Sequence, residues 1–276
     1  MNKYMVKQFL VILLLSCQLI HADLNLQGVT LIECEVRPRV TSETKERHFT
    51  HPHVHVKESA SLNWAGYAVV TSLSSPANNA VTSVSGTWQV PTISRSSGTT
   101  YSSLWVGMDG YSSSTVEQIG TEHNWANGKQ QNYVWFEMYP QYPYEIVGFP
   151  LSVGDSISAS VVYKGNNVFQ MTIVNNTRNV AFVVPTSYTT SALAKRSSAE
   201  WIAEAPYSSS VLPLADFHTI TFSNCMATIN GINGAINNPV WKFDPLTMIT
   251  NNGAVKALIS TLTSNGKGFS VTWNHQ

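Results

Sequence analysis

The chain has 276 residues and a formal net charge of zero, with sixteen basic and sixteen acidic side chains; 12 % of residues are charged and 43 % hydrophobic. A balance near zero offers no electrostatic footprint for a phosphate backbone, which argues against nucleic acid as a partner. Three cysteines make no disulfide framework, so a hydrophobic core has to hold the fold.

At the N-terminus, Lys3 and Lys7 precede an apolar run from Phe9 to Leu15, and Ala22 offers a cleavage position after small and polar residues. The pattern predicts a signal peptide over residues 1–22, too short to span a membrane as a mature helix. Leu14-Leu15-Ser16-Cys17 also resembles a lipobox, which would leave a lipid anchor on Cys17 at the cell envelope instead. Both alternatives export the protein, as a secreted or an envelope-anchored chain.

Residues 23–59 hold eleven charged side chains in 37 positions, whereas residues 60–276 hold nineteen in 217. The first stretch solvates itself and the second has to bury itself, so the boundary reads as a propeptide or leader followed by one catalytic or binding domain. His48, His51, His53 and His55 crowd the leader. They suit a pH sensor that charges below about pH 6.5, a plain solvated linker, or a zinc site on one side of an extended segment. A pairing of Cys34 with Cys225 is left open by the sequence.

From residue 60 the text predicts an all-β fold, an antiparallel two-sheet β-sandwich of the concanavalin or lectin-like kind with little helix. Apolar and polar residues alternate over 84–90, 133–139, 157–163 and 219–222, with a closing strand at Phe269 to Trp273. Turn material separates the runs: Asn127-Gly128, Val153-Gly154-Asp155, Lys164-Gly165-Asn166-Asn167, Asn251-Asn252-Gly253 and Ser264-Asn265-Gly266. Only Gly253 to Leu262 has a pattern that suits a helix. A domain of this length buries a two-sheet core without a second domain.

The chemistry has to come from carboxylates, amides and aromatics. The serine-hydrolase elbow, the aspartic-protease triplets, the zinc-protease helix motif and the phosphate-binding glycine loop are missing, and His123, His218 and His275 are too sparse for a metal site. No cofactor is expected. Asp109, Glu117, Glu122, Glu137, Glu200 and Glu204 stand within or beside apolar strand text. Glu200 and Glu204, four apart, share one face of a strand, and burial there raises a carboxyl pKa toward the range of a general base or acid. Gln118 lies on a face with Val116 and Gly120; its amide can hold a water and donate to an oxyanion at any pH. Satisfied buried groups explain each of these residues singly.

Seven segments resemble, in order, the eqolisins or glutamic peptidases. They are Asn63-Trp64-Ala65-Gly66-Tyr67, Val84 to Pro91, Leu104 to Gly110, Glu117 to Thr121, Trp135 to Pro140, Ala199 to Glu204, and Ala215-Asp216-Phe217. The resemblance implies a two-sheet sandwich with a cleft on one concave face and a Gln and Glu dyad in it. The family's catalytic glutamine falls on Gln118 and its catalytic glutamate on Glu204. Trp64, Trp105, Asp109, Glu122 and Glu137 fall on positions that line or support the cleft. The implied activity is that of a secreted acid endopeptidase, monomeric, acting on polypeptide substrates, with the leader plugging the cleft until low pH removes it.

Two departures stand out: Glu122 replaces the family's Asp, and the text after Cys225 matches poorly. A different class of protein fits the same sandwich. Tyr139, Tyr142 and Tyr144 could stack on sugars, and Glu137 with Glu204 could hydrolyse them, so carbohydrate binding or glycoside hydrolysis is the alternative, with a catalytically inactive relative behind it. Asn175-Asn176-Thr177 completes an Asn-x-Thr pattern, a glycosylation signal in a host that glycosylates exported chains.

Overall fold

The computed structural model describes residues 24–39, 59–189 and 192–276, with the backbone of residues 55–57. The expected signal peptide, Cys17, and His48, His51 and His53 of the leader lie outside these residues, and of His55 only the backbone is described.

The described residues are all-β, with no helix. Ahead of the domain come β1 (Thr30–Leu31), β2 (Glu35–Pro38) and β3 (His55–Lys57). The domain begins with β4 (Ala60–Ser61), β5 (Trp64–Val70), β6 (Val81–Gln89) and β7 (Ser103–Met108). A long hairpin follows, β8 (Val116–Ala126) and β9 (Lys129–Tyr139), turning at Asn127-Gly128 where both residues have positive φ, as such a tight turn requires. Next are β10 (Tyr144–Val147), β11 (Ser156–Gly165), β12 (Val168–Asn175), β13 (Val180–Val183) and β14 (Ser198–Glu204). The chain closes with β15 (Thr219–Ile229), β16 (Ile232–Ala235), β17 (Lys242–Ile249), β18 (Val255–Ile259) and β19 (Phe269–Trp273). The stretch with helix-like text, Gly253 to Leu262, is the strand β18 between β17 and β19. Tertiary pairing on both sides overrides its weak helical propensity.

One layer runs β9–β8–β7–β14–β5–β17 and the other β13–β12–β11–β6–β15–β16. The expectation of a purely antiparallel pair of separate sheets is corrected in two respects. The strands form one hydrogen-bonded network, because β18 and β19 connect β17 of one layer to β15 of the other. The network is also mixed, since β1 runs parallel to β13 and β4 parallel to β17.

Side-chain alternation places Ala199, Trp201 and Ala203 of β14 in the core between the layers, and Ile202 in a second cluster on the opposite face. The Trp201 indole N–H donates to the Ser85 carbonyl at 2.7 Å, and that of Trp88 to Thr121 Oγ1 at 2.8 Å, so two large rings bridge the layers without an orphaned donor. Gly86 makes the room, since a Cβ there would stand 2.7 Å from the Trp201 ring. Each such indole contributes about 4 to 6 kcal/mol of transfer free energy, before chain entropy is counted.

Residues 24–39 lie against the domain. β1 extends the edge at β13, and β2 pairs with β10, which itself extends β9. Cys34 and Cys225 are both free thiols, the first half-buried and the second in the core. Asn175 is fully buried, its amide donating to the Pro150 carbonyl at 2.9 Å and to Asp155 Oδ2 at 2.8 Å. In the folded domain the Asn-x-Thr amide is thus already engaged.

Candidate active site

The second apolar cluster marks the site. Trp64, Ala68, Trp105, Val116, Trp135, Ile202 and Leu246 gather on the outer face of the first layer, with Tyr133 and Tyr139 against them. Strand alternation brings the polar groups onto the same face: Gln118 and Glu122 from β8, Glu137 from β9, Glu200 and Glu204 from β14. Register sets the rows. Gln118 stands beside Gly107 and Glu137, and Ser103 stands between Glu204 and Glu122. Glycine at two positions keeps this face open. A Cβ on Gly107 would stand 3.0 Å from the Gln118 Cβ, and one on Gly120 would stand 2.5 Å from the Trp105 Cβ.

Gln118 Nε2 donates to Glu137 Oε2 at 2.8 Å, which fixes the amide in the face. Glu204 is held from two sides, by the Trp105 indole N–H at 2.8 Å on Oε2 and by the Asn63 amide at 3.3 Å on Oε1. The Asn63 amide is in turn oriented by Ser61, whose hydroxyl donates to Asn63 Oδ1 at 2.9 Å. Trp64 meets Trp105 edge-on with ring centroids 4.9 Å apart, so the ring carrying the Glu204 donor is itself clamped.

Gln118, Glu122, Glu137 and Glu204 are fully buried. Burial pushes the Glu137 carboxyl well above its ordinary range, and the nearby Glu204 carboxylate adds to this; the Gln118 hydrogen bond and Arg39 oppose it. Glu137 therefore lies within electrostatic reach of Glu204 while bonded to Gln118, and it connects the two sequence-predicted groups.

Glu200 occupies different surroundings. Burial raises its pKa well above the usual carboxylate value, and its charged neighbours are Asp109 and Glu117. Glu117 is raised likewise, by burial and then by Asp109. Asp109 stands at the end of β7 with φ at 68°, and its carboxylate accepts the N–H of Arg196 and, at 2.9 Å each, the N–H and hydroxyl of Ser197. It braces the chain entering β14. Of the seven residues singled out in the sequence, Gln118, Glu204, Trp64, Trp105, Glu122 and Glu137 share the face, and Asp109 supports it from this turn.

Glu122 accepts from Ser103 Oγ and from Arg39 Nη2, the latter at 3.1 Å, and the Arg39 guanidinium lies over the Tyr133 ring at 4.8 Å. Arg39 is 7 % exposed, so a residue from ahead of the domain places its charge inside the face. Sequence reading passed over Asn63, Ser103 and Arg39. Asn63 carried a signal, a polar residue within a matched segment immediately before an apolar strand; Ser103 and Arg39 carried none. The sugar-stacking alternative loses Tyr144, whose half-buried ring stacks on Phe136 of the core at 5.2 Å.

The matching family model is the Peptidase A4 family, over residues 62–273. Aspergillopepsin-2 from Aspergillus niger is 29 % identical over 195 residues, covering 63 % of this chain and 67 % of its own. Among solved structures, scytalido-glutamic peptidase with a transition state analog inhibitor superposes with a TM-score of 0.64 at 24 % identity, over 77 % of this chain and 98 % of that one. Aspergilloglutamic peptidase from Aspergillus niger gives 0.57 at 26 % identity, over 63 % and 99 %. A family model spanning most of the chain, carried on a face built from a buried glutamine and buried glutamates, leads to one conclusion: this chain belongs to the Peptidase A4 family and is a glutamic endopeptidase of the eqolisin type.

Proposed function

We propose that the chain is an exported acid endopeptidase with a Gln118 and Glu204 dyad, folded as a two-layer sandwich of the concanavalin kind. The observation that carries this is the shared buried face, where Gln118 is fixed by Glu137 and Glu204 by Trp105 and Asn63. Glu204 takes a proton from a water, and the oxygen attacks the scissile carbonyl. Gln118, locked through one amide hydrogen to Glu137, offers its second to the developing oxyanion. Protonated Glu204 then gives its proton to the leaving amine, and the carboxylate is regenerated. Removing such a donor typically slows the reaction about 10² to 10³-fold.

Residues 1–22 then serve as signal peptide and residues 23–59 as propeptide, and the mature enzyme acts as a monomer on polypeptides. Support for the propeptide role is the seating of β1 and β2 on the sheet and the Arg39 to Glu122 ion pair in the face. The test is peptide cleavage by Gln118→Ala and Glu204→Gln, each checked for an unchanged unfolding midpoint. Loss of cleavage in both is expected; full activity in either refutes the dyad. Cleavage of glycosides that survives Gln118→Ala would move the assignment to the sugar-hydrolysing alternative.

A further inference from the structure

Beyond the dyad, a cavity of about 450 Å³ opens where β14 leaves the sheet. Its lining includes Leu62, Tyr207, Ser209, Ser210, Asn251 and Lys256. Two chain segments tie it to the site. Leu62 directly precedes Asn63, which holds Glu204, and Ala205, next after Glu204, donates its N–H to the Asn63 carbonyl at 2.8 Å. Tyr207 follows two residues later, within electrostatic reach of Tyr139 on the Gln118 face.

Lys256 is the unusual member. It is 7 % exposed on β18, and its backbone carbonyl accepts the N–H groups of Asn274 and His275, fixing the C-terminal tail beside it. Among the described residues its ammonium has no ion-pair partner. Desolvation alone lowers its pKa to about 8, so it remains cationic throughout the acid range. A nearly buried lysine lining a largely apolar cavity without a counter-charge is costly unless an anion reaches it during function.

We propose that this cavity is a substrate subsite in which Lys256 receives a carboxylate of the bound polypeptide, with hydroxyls of the 207–210 segment beside it. The proposal deepens the peptidase reading and rests on it. The carboxylate is either an acidic side chain or a free C-terminus, and the same cavity serves both.

The test uses amidated peptides that differ only by Asp against Asn, or Glu against Gln, at successive positions around one cleavable bond, and a matched neutral peptide with a free C-terminus. Assays run at about pH 5, where peptide carboxylates are largely ionised. At one position the acid should raise kcat/KM roughly ten- to a hundredfold over its amide, as expected for a charge-assisted contact. Lys256→Gln should abolish that ratio and leave neutral amidated peptides unchanged, and Lys256→Arg should restore much of it, which separates charge from folding. A preference confined to the free C-terminus identifies the terminal carboxylate as the ligand. A ratio unmoved by Lys256→Gln overturns the proposal while the peptidase reading stands. If the wild type cleaves none of the peptides, that reading fails; calorimetric affinity of the same acid and amide pairs, equal in wild type and Lys256→Gln, then overturns the subsite as well.

Discussion

His123 gives this peptidase a measurable acid liability. It is fully buried on β8, and its ring bridges Thr121 Oγ1 at 2.8 Å through Nε2 and Asn132 Oδ1 at 3.1 Å through Nδ1. The Trp88 indole N–H already occupies Thr121 Oγ1, so the Thr121 proton points to Nε2, and Nδ1–H donates to Asn132. This arrangement is closed for the neutral imidazole. A second ring proton would have to compete with Trp88 for the same oxygen. Burial accordingly lowers the pKa from 6.5 to about 4, with the Asn132 bond opposing. Because the folded value lies below the unfolded one, the stabilisation is present above pH 6.5 and lost as the pH falls toward 4. The slope is about 1.4 kcal/mol per pH unit and the total roughly 3 kcal/mol, a large share of a typical domain's 5–15 kcal/mol. His123→Gln, made in a Glu204→Gln background to prevent autolysis, removes the titration. Urea unfolding should show the variant losing ground at neutral pH and gaining roughly 3 kcal/mol relative to its parent between neutral pH and about pH 3. A stability difference that does not change with pH would refute the argument.

The buried acids act at the other limb. Glu117, Glu137 and Glu200 have folded pKa values raised by burial, so their stabilisation is full below the unfolded carboxylate value and is lost as the pH rises through the folded one. Glu200→Gln should therefore raise the unfolding midpoint at neutral pH and leave it nearly unchanged at about pH 3; a uniform loss at both would contradict this. Arg39→Ala breaks an ion pair whose side chains are 4 % and 0 % exposed, a change expected to weaken the seating of residues 24–39 on the sheet by about 3 to 5 kcal/mol. If residues 23–59 act as the proposed propeptide, initial rates on acidification should then show activity before any chain cleavage, and a precursor as silent as wild type would count against that role. Asn63→Ala, which frees one oxygen of Glu204, should lower kcat roughly ten- to a hundredfold with KM little changed, and a normal kcat would remove Asn63 from the positioning set.

Local alternation made much of this protein legible. The strands around Trp88, Trp135, Val161 and Phe222 announce themselves because residues of two kinds alternate along them, as Ile220 and Phe222 in the core alternate with exposed Thr219 and Thr221. The strand at Val255 did not, since its five residues are fixed by β17 and β19 rather than by their own pattern. Mixed pairing was equally hidden, because a parallel contact such as β4 with β17 joins residues nearly two hundred positions apart. In the site, the strand period placed Glu200 and Glu204 on one face but could not separate them. The separation comes from cross-strand neighbours, Trp105 and Asn63 for Glu204 and Asp109 with Glu117 for Glu200. Arg39 was illegible for the same reason: nothing local indicates that it crosses the sheet edge to Glu122.

The central claim is that an amide and a carboxylate, with no metal and no aspartate pair, cut the peptide bond. The most direct measurement is digestion of a denatured protein between about pH 2 and pH 7 in the presence of pepstatin and a metal chelator, with wild type and Gln118→Ala in parallel. Acid-dependent cleavage by the wild type that survives both inhibitors and falls at least about 10²-fold in Gln118→Ala is the predicted result. Cleavage blocked by either inhibitor, or retained in full by Gln118→Ala, would contradict it.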